Sequence, residues 1–344
     1  MSQHIYYNAV NRFYQGNYGK LEAAWSHHHN WREAWIAVHT EARINPEKEW
    51  DALLKRGVQL TLREDDNYPT LLRETARAPF GLYSIGSRDW EKPAVAIVGT
   101  RRATGEGLKI ARQFAEDLAL QGIVIVSGLA LGIDGAAHAG AIASGAKGAT
   151  IAVLPCGLED IYPKTHANLA NDIIRTGGAL VSEYPFSTPS FPINFLERNR
   201  IVAGMSRGTV VIEAPLKSGA LVTAKLAIEA NRDVFAVPGP INHPNHIGPH
   251  MLIQEGAGLV TCTEDICNAL GLLYQKSGPL DNPNTAHMPP DERIILETLK
   301  KAGKPITIDA ITELSHLEIS VINRAIALLS VNGTLTELDG RYSL

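Results

Sequence analysis

The chain has 344 residues, with 32 Lys+Arg against 36 Asp+Glu and a formal net charge of −4. Apolar residues make up 45% and charged residues 20%, which excludes wholesale disorder. No apolar run reaches the roughly 18 residues of a membrane span, and the opening residues lack the basic flank and apolar stretch of a secretory signal. The mild acidity counts against a nucleic-acid partner, since such domains are often basic. Residues 1–90 are net neutral, and 91–275 and 276–344 each carry two excess negatives. Any anion site must therefore be built locally. Three cysteines, Cys156, Cys262 and Cys267, fit a reducing cytoplasm better than a disulfide framework.

Residues 1–90 predict a helical domain with loops. Trp31, Trp35 and Val38 have helical spacing. A helix is expected to end at Gly57 before a short extended piece, and Asp65-Asp66-Asn67-Tyr68-Pro69 reads as a turn. The His27-His28-His29 run reads as a solvated loop or helix end. Residues 91–270 then alternate short β-branched runs with amphipathic helices. Strands are expected at 94–98, 123–127, 149–154, 179–183, 209–213 and 233–237. Helices fall near 105–120, 134–145, 164–176, 194–205 and 218–230. This is the pattern of an α/β, Rossmann-like, doubly wound parallel sheet, whose ligands sit beyond the carboxyl ends of the strands. Residues 271–288 read as a linker. Residues 289–344 predict three helices and a hairpin, a winged-helix domain. Its third helix carries one base, Arg324, which favours protein contact or structural support over DNA readout.

The chemistry lies in the loops after the strands. Gly99-Thr100-Arg101-Arg102 opens a glycine-rich turn into a helix N-terminus, where free N–H groups and the helix dipole attract anions. Its spacing is neither GxGxxG nor a Walker loop, and its arginines suit phosphate oxygens. Ser127-Gly128 begins a second such loop, with Asp134 as the expected N-cap and His138 as a core histidine. Cys156 reads as a structural thiol, and Lys164 as a point charge at a helix start. Arg198, Asn199 and Arg200 cluster on one helix, where one arginine has a buried ion pair with Glu197 or Glu213 as its structural alternative. Lys217, Ser218 and Gly219 lead into another helix. His243, His246 and His250 invite a metal reading, but no carboxylate or cysteine lies at close sequence spacing, so no metal is expected. No catalytic constellation and no cofactor motif stands out. A row of anion-ready loops suits a backbone with several phosphates, which points to a nucleic-acid strand.

Val98-Gly99-Thr100-Arg101, Ser127-Gly128-x-Ala130-x-Gly132-Ile133-Asp134, Asn199-Arg200-Ile201-Val202-Ala203-Gly204 and Ser218-Gly219-Ala220-Leu221-Val222-Thr223-Ala224 together resemble the DprA (Smf) family. Ala236-Val237-Pro238-Gly239 extends the match. It departs from the family at three places: Thr104 for the usual Ser, Glu106 for an aromatic, and Gly248-Pro249-His250 for a common Gly-x-Asn before Leu-Ile. The resemblance implies an extended Rossmann domain with an N-terminal helical domain (SAM- or helix–hairpin–helix-like) and a C-terminal winged helix. It implies binding of single-stranded DNA, loading of RecA during natural transformation, and a homodimer through the Rossmann domain, with no catalysis. Arg101 and Lys164 are the implied phosphate contacts, with Arg198, Arg200, Lys217 and Lys225 as further candidates. The rival reading is a nucleotide phosphoribohydrolase with Glu213 as its acid, although Pro238-Gly239-Pro240 interrupts the loop such enzymes carry.

Overall fold

The computed structural model describes residues 2–87, 89–275, 289–331, 335–338 and 340–343. Met1–Tyr274 and Gln275–Leu344 form two compact units. The first opens with α1 (Gln3–Phe13), α2 (Tyr18–His28), α3 (Trp31–Val38) and α4 (Pro46–Lys55). Asn17, Asn30 and Asn45 cap the last three, each side chain accepting a first-turn N–H. Trp31, 1% exposed, packs its ring 4.8 Å from Tyr7 and 5.0 Å from Trp25. The three-histidine run closes α2, with His29 in the left-handed conformation as its C-cap.

The helices lead into β1 (Gln59–Leu62), α5 (Thr70–Arg73) and β2 (Gly81–Gly86). Then follow β3 (Ala94–Val98), α6 (Gly105–Leu120), β4 (Val124–Ser127), α7 (Ile133–Ala143) and β5 (Thr150–Val153). A 3₁₀ turn at Lys164–His166 precedes α8 (Ala167–Arg175), β6 (Ala179–Ser182) and α9 (Pro192–Gly204). The unit continues through β7 (Gly208–Val211), α10 (Gly219–Glu229) and β8 (Asp233–Ala236). It closes with α11 (Ile247–Gln254), β9 (Gly258–Leu259) and α12 (Thr263–Ala269). The sheet order is β1-β2-β6-β5-β4-β3-β7-β8-β9. From β6 to β9 every pairing is parallel, whereas β1 and β2 join antiparallel.

The parallel strands are apolar runs because both faces are covered. All five residues of β3 are buried: Ala94, Ala96 and Val98 face one core, and Val95 and Ile97 the other. Two expectations change here. The region before residue 90 is not purely helix and loop, since it supplies two strands to the sheet. The expected boundary at 90 thus falls inside one compact unit. The α/β doubly wound core is as expected. The chain runs outward from β3 to β4 on one side and returns to β7 on the other, so the sheet's switch point lies between β3 and β7.

The second unit contains α13 (Pro290–Ala302), β10 (Ile306–Thr307), α14 (Ile308–Ser315), α15 (Ile319–Val331), β11 (Thr336–Leu338) and β12 (Arg341–Ser343). Its antiparallel sheet has the order β10-β12-β11. Ile295, Leu299, Ile311, Ile322 and Leu329 form its core. The expected linker from residue 276 on and the turn at Asn332-Gly333 lie outside the described residues. Among the described residues, no helix is long and apolar enough to cross a membrane.

Candidate nucleic-acid interface

Three loops meet at the switch point. Thr100 N–H donates to Glu213 O at 2.7 Å, and Ile133 N–H donates to Thr100 O at 3.3 Å. These bonds pin the loop after β3 between the loops after β7 and β4. The packing is close enough to require glycine. A Cβ on Gly99 would sit 2.4 Å from Ile133 Cγ1, and one on Gly132 would sit 2.3 Å from Thr100 O. Gly132 also has φ +78°, a conformation that favours glycine.

Glu213 is 1% exposed and organises the turn. Its Oε2 accepts from Thr104 N–H at 2.9 Å and from the Asn245 amide at 2.9 Å, and its Oε1 accepts from the Thr104 hydroxyl. Burial pushes this carboxyl up, but the Thr104 and Asn245 hydrogen bonds outweigh it and hold the group below its ordinary value. Thr104 in turn caps α6 by accepting from Gly107 N–H at 2.9 Å. Glu213 therefore ties β7 to the start of α6, a structural task the sequence did not announce.

Asp134 is not the N-cap of α7. Gly132 holds that position, and Asp134 Oδ2 folds back to accept from Gly128 N–H at 3.1 Å. Burial pushes the Asp134 carboxyl above its ordinary range against the pull of the Arg198 guanidinium. Arg198, 4% exposed, donates from Nη1 to Val153 O at 2.6 Å. A Cβ on Gly128 would land 1.9 Å from Arg198 Nη1, so the glycine makes room for this buried cation. His138 bonds Thr150 Oγ1 at 2.7 Å, and burial holds it down to about 3, as a neutral core histidine. Cys156 is buried beside Asp160 O, and burial pushes its thiol up to about 11.

The loops enclose an open groove of about 680 Å³ beyond β3, β4 and β7. Gly99, Thr100, Arg101, Arg102, Gly128, Arg198, Asn199, Lys217, Ser218 and Gly219 all line it. Ser218 caps α10 by accepting from Ala220 N–H, and Asn199 Nδ2 donates to Gly219 O at 3.3 Å. Arg101, Arg102 and Lys217 are exposed and, among the described residues, none has a carboxylate within ion-pair distance.

Three expected residues lie elsewhere. Lys164 is exposed on the 3₁₀ turn, two residues beyond Tyr162, which does line the groove. Lys225 projects from α10 and sits 3.8 Å from Glu229. Arg200 is 8% exposed on the opposite face of α9, ion-paired with Glu183. The structural alternative for one arginine thus applies to Arg200, with Glu183 as its main partner. The three loop histidines do gather, with ring centroids 5.6 and 6.2 Å apart, but no group able to hold a metal occurs among the described residues.

The groove also contains what charge counting overlooked. Tyr162 and Phe195 stand edge to face with centroids 5.2 Å apart, and the Arg101 guanidinium lies 5.0 Å over the Phe195 ring. Their signal in the sequence was aromatics interleaved with bases, in Tyr162-Pro163-Lys164 and Phe195-Leu196-Glu197-Arg198.

Residues 59–271 match the family model described as DNA recombination-mediator protein A. The chain is 39% identical over 286 residues to protein Smf of Escherichia coli, covering 81% of this chain and 75% of that one. The X-ray structure of DNA processing protein A from Streptococcus pneumoniae superposes with a TM-score of 0.59 at 37% identity, covering 69% of this chain and 80% of that one. DNA processing protein A from Helicobacter pylori, whose structure concerns a single-stranded DNA binding mode, gives a TM-score of 0.54 at 31% identity, covering 62% of this chain and 95% of that one. Family model, relatives and structural neighbours agree, and the chain belongs to the DNA recombination-mediator protein A family.

Proposed function

We propose that this protein binds single-stranded DNA along the switch-point groove and loads RecA onto it during natural transformation. In this reading it acts in the cytoplasm, as a homodimer through the Rossmann domain and without catalysis. The observation that carries the reading is the Arg101 guanidinium stacked on Phe195 beside Tyr162, with Arg102 and Lys217 unpaired at the same rim. Cations and base-stacking rings in one open groove are what an unpaired strand needs: phosphate neutralisation and sequence-tolerant stacking. The single-stranded DNA named for the Helicobacter pylori relative supports the same ligand. Lys164, exposed beside Tyr162, extends the phosphate track in this reading. Mediator activity is supported by the family model's description as a DNA recombination-mediator protein, and RecA as the recombinase loaded is part of the proposal.

Engagement of Glu213 by Thr104 and Asn245 leaves it a poor candidate for the acid of a phosphoribohydrolase. The second unit reads as a winged helix by its strand and helix order. Arg324 on α15 bonds Asp291 at 2.6 Å, which supports protein contact or structural support over DNA readout for this helix. The test is oligo(dT) binding by anisotropy across a salt series, for wild type and for Arg101→Ala with Lys217→Ala. Affinity should fall broadly, and the log–log salt slope should shrink by about 0.7 for each phosphate no longer neutralised. An intact fold with unchanged affinity and slope would sink the assignment. Faster RecA assembly on the bound strand is the measurement for the mediator step.

A further inference from the structure

Helix α9 borders two grooves. Pro192, Phe195, Leu196 and Asn199 face the first. Ile193, Asn194, Glu197 and Arg200 face a second, of about 530 Å³, closed on its far side by the turn between α1 and α2. No expectation from the sequence concerned that second groove.

Its floor is a buried ion pair with unused hydrogen-bonding capacity. Arg200 donates to Glu183 Oε2 through Nη2, yet its Nη1 and Nε have no hydrogen-bond partner, and neither does Glu183 Oε1. Arg200 is 8% and Glu183 6% exposed, and both line the groove. Buried polar groups of this kind normally find partners, so an open donor beside an open acceptor marks a place for a polar ligand. The walls are aromatic. The guanidinia of Arg77 and Arg200 lie 4.9 and 5.2 Å over the Tyr18 ring. Phe191 stands half in solvent at the rim.

The charge in this groove argues against a phosphate. Arg77 is paired with Glu197 at 2.8 Å and Arg200 with Glu183, which leaves Lys20, exposed at the rim over the Tyr14 ring, as the one lining cation among the described residues without a carboxylate partner. A nucleobase suits it better. Its face stacks on an aromatic ring, and a small side-chain shift that opens the floor would let its pairing edge meet Glu183 Oε1 and Arg200 Nη1, which are closed to solvent here.

We propose that this second groove is a base-binding subsite, taking an unstacked nucleobase of the strand whose backbone lies in the first groove. This rests on the proposed single-stranded DNA binding. A helix with its side chains is about 10–12 Å thick, and an unstacked strand is more extended than one in a duplex, so a strand crossing α9 reaches the second groove within a few nucleotides. A peptide segment is the competing occupant, and DNA binding by groove variants decides between them.

The experiment is binding of oligo(dT) of increasing length, from about 6 to about 20 nucleotides, to the full chain. Wild type should gain affinity when the strand becomes long enough to span α9. Phe191→Ala, a half-exposed position, should erase about tenfold of that gain while leaving the shortest oligomers bound as before. Tyr18→Leu, with melting checked because Tyr18 also packs on Phe80 at 5.5 Å, should do the same. Long oligo(dT) with abasic positions beyond the first groove should bind wild type as weakly as intact oligo(dT) binds Phe191→Ala. If both folded variants keep the full length-dependent gain while Arg101→Ala with Lys217→Ala loses binding, the subsite is wrong and the main reading stands. If the Arg101/Lys217 variant also binds normally, both fall.

Discussion

Glu213→Gln is the substitution that best tests how the binding loop is held. The carboxylate accepts three hydrogen bonds, two at Oε2 and one at Oε1. Glutamine fills the same volume, and its oxygen can keep the Oε2 site, where two N–H donors converge. Its amide nitrogen then faces Thr104 Oγ1, which already accepts from Gly107 N–H. The hydroxyl must accept twice, and its own proton loses its partner. Bonds to an ionised acceptor contribute about 1.5–3 kcal/mol each, against about 0.5–1.5 for neutral ones, so the loss should come to about 2 kcal/mol. For a unit of this size that lowers Tm by about 4–8 °C. The effect has a pH signature. Glu213 has a folded pKa below its ordinary value of 4.5. Its stabilising contribution is complete above that ordinary value and is lost as pH falls through the lower folded one. Thermal melts of wild type and Glu213→Gln, from about pH 8 to about pH 3, should therefore converge at the acid end. A Tm gap of the same size across the whole range would refute the role of the charge.

Other positions separate the groove from its scaffold. Gly132→Ala forces a Cβ against Thr100 O at φ +78° and should cost at least about 1–3 kcal/mol, read as a lower Tm together with weaker oligo(dT) binding. Phe195→Ala removes the ring under Arg101 and should weaken single-strand binding by about 1–3 kcal/mol with little change between homopolymers. Arg198→Met removes the buried donor to Val153 O and should destabilise by about 1–3 kcal/mol, visible in denaturant melts before any binding is measured. Lys225→Ala removes an exposed side chain beside Glu229 and should leave oligo(dT) affinity unchanged.

The parallel core was legible because its strands are buried on both faces, so local composition alone carries the signal. The extended piece after Gly57 was legible and forms β1, but β2 and the joining of both strands to the sheet were not. The antiparallel partner of β2 is β6, about a hundred residues downstream, with Tyr83 opposite Ser182, and no local pattern encodes that pairing. The same limit explains the arginines. Arg198 and Arg200 are neighbours in sequence, but two residues on a helix are separated by about 200° of rotation. One therefore braces the loop beyond β4 while the other pairs with Glu183 on the far side of α9. The structural task of Glu213 was hidden for a related reason. Its partners Thr104 and Asn245 lie 109 and 32 residues away.

These placements change what the net charge of −4 means. Arg198, Arg200 and Lys225, counted among the cations of the binding edge, are spent on Val153 O and Asp134, on Glu183 and on Glu229. The cations left for phosphates at the groove are Arg101, Arg102 and Lys217, with Lys164 beside it. Few free charges mean few released counterions, and so a shallow salt dependence for a nucleic-acid binder. On the proposed reading the affinity that charge does not provide comes from stacking, for which Phe195 and Tyr162 in the same groove are the candidates. Stacked pairs bury their faces in a duplex, so a groove that depends on rings discriminates for single strands. An acidic protein with a short cationic, aromatic groove is thus suited to selecting unpaired DNA over the far more abundant duplex.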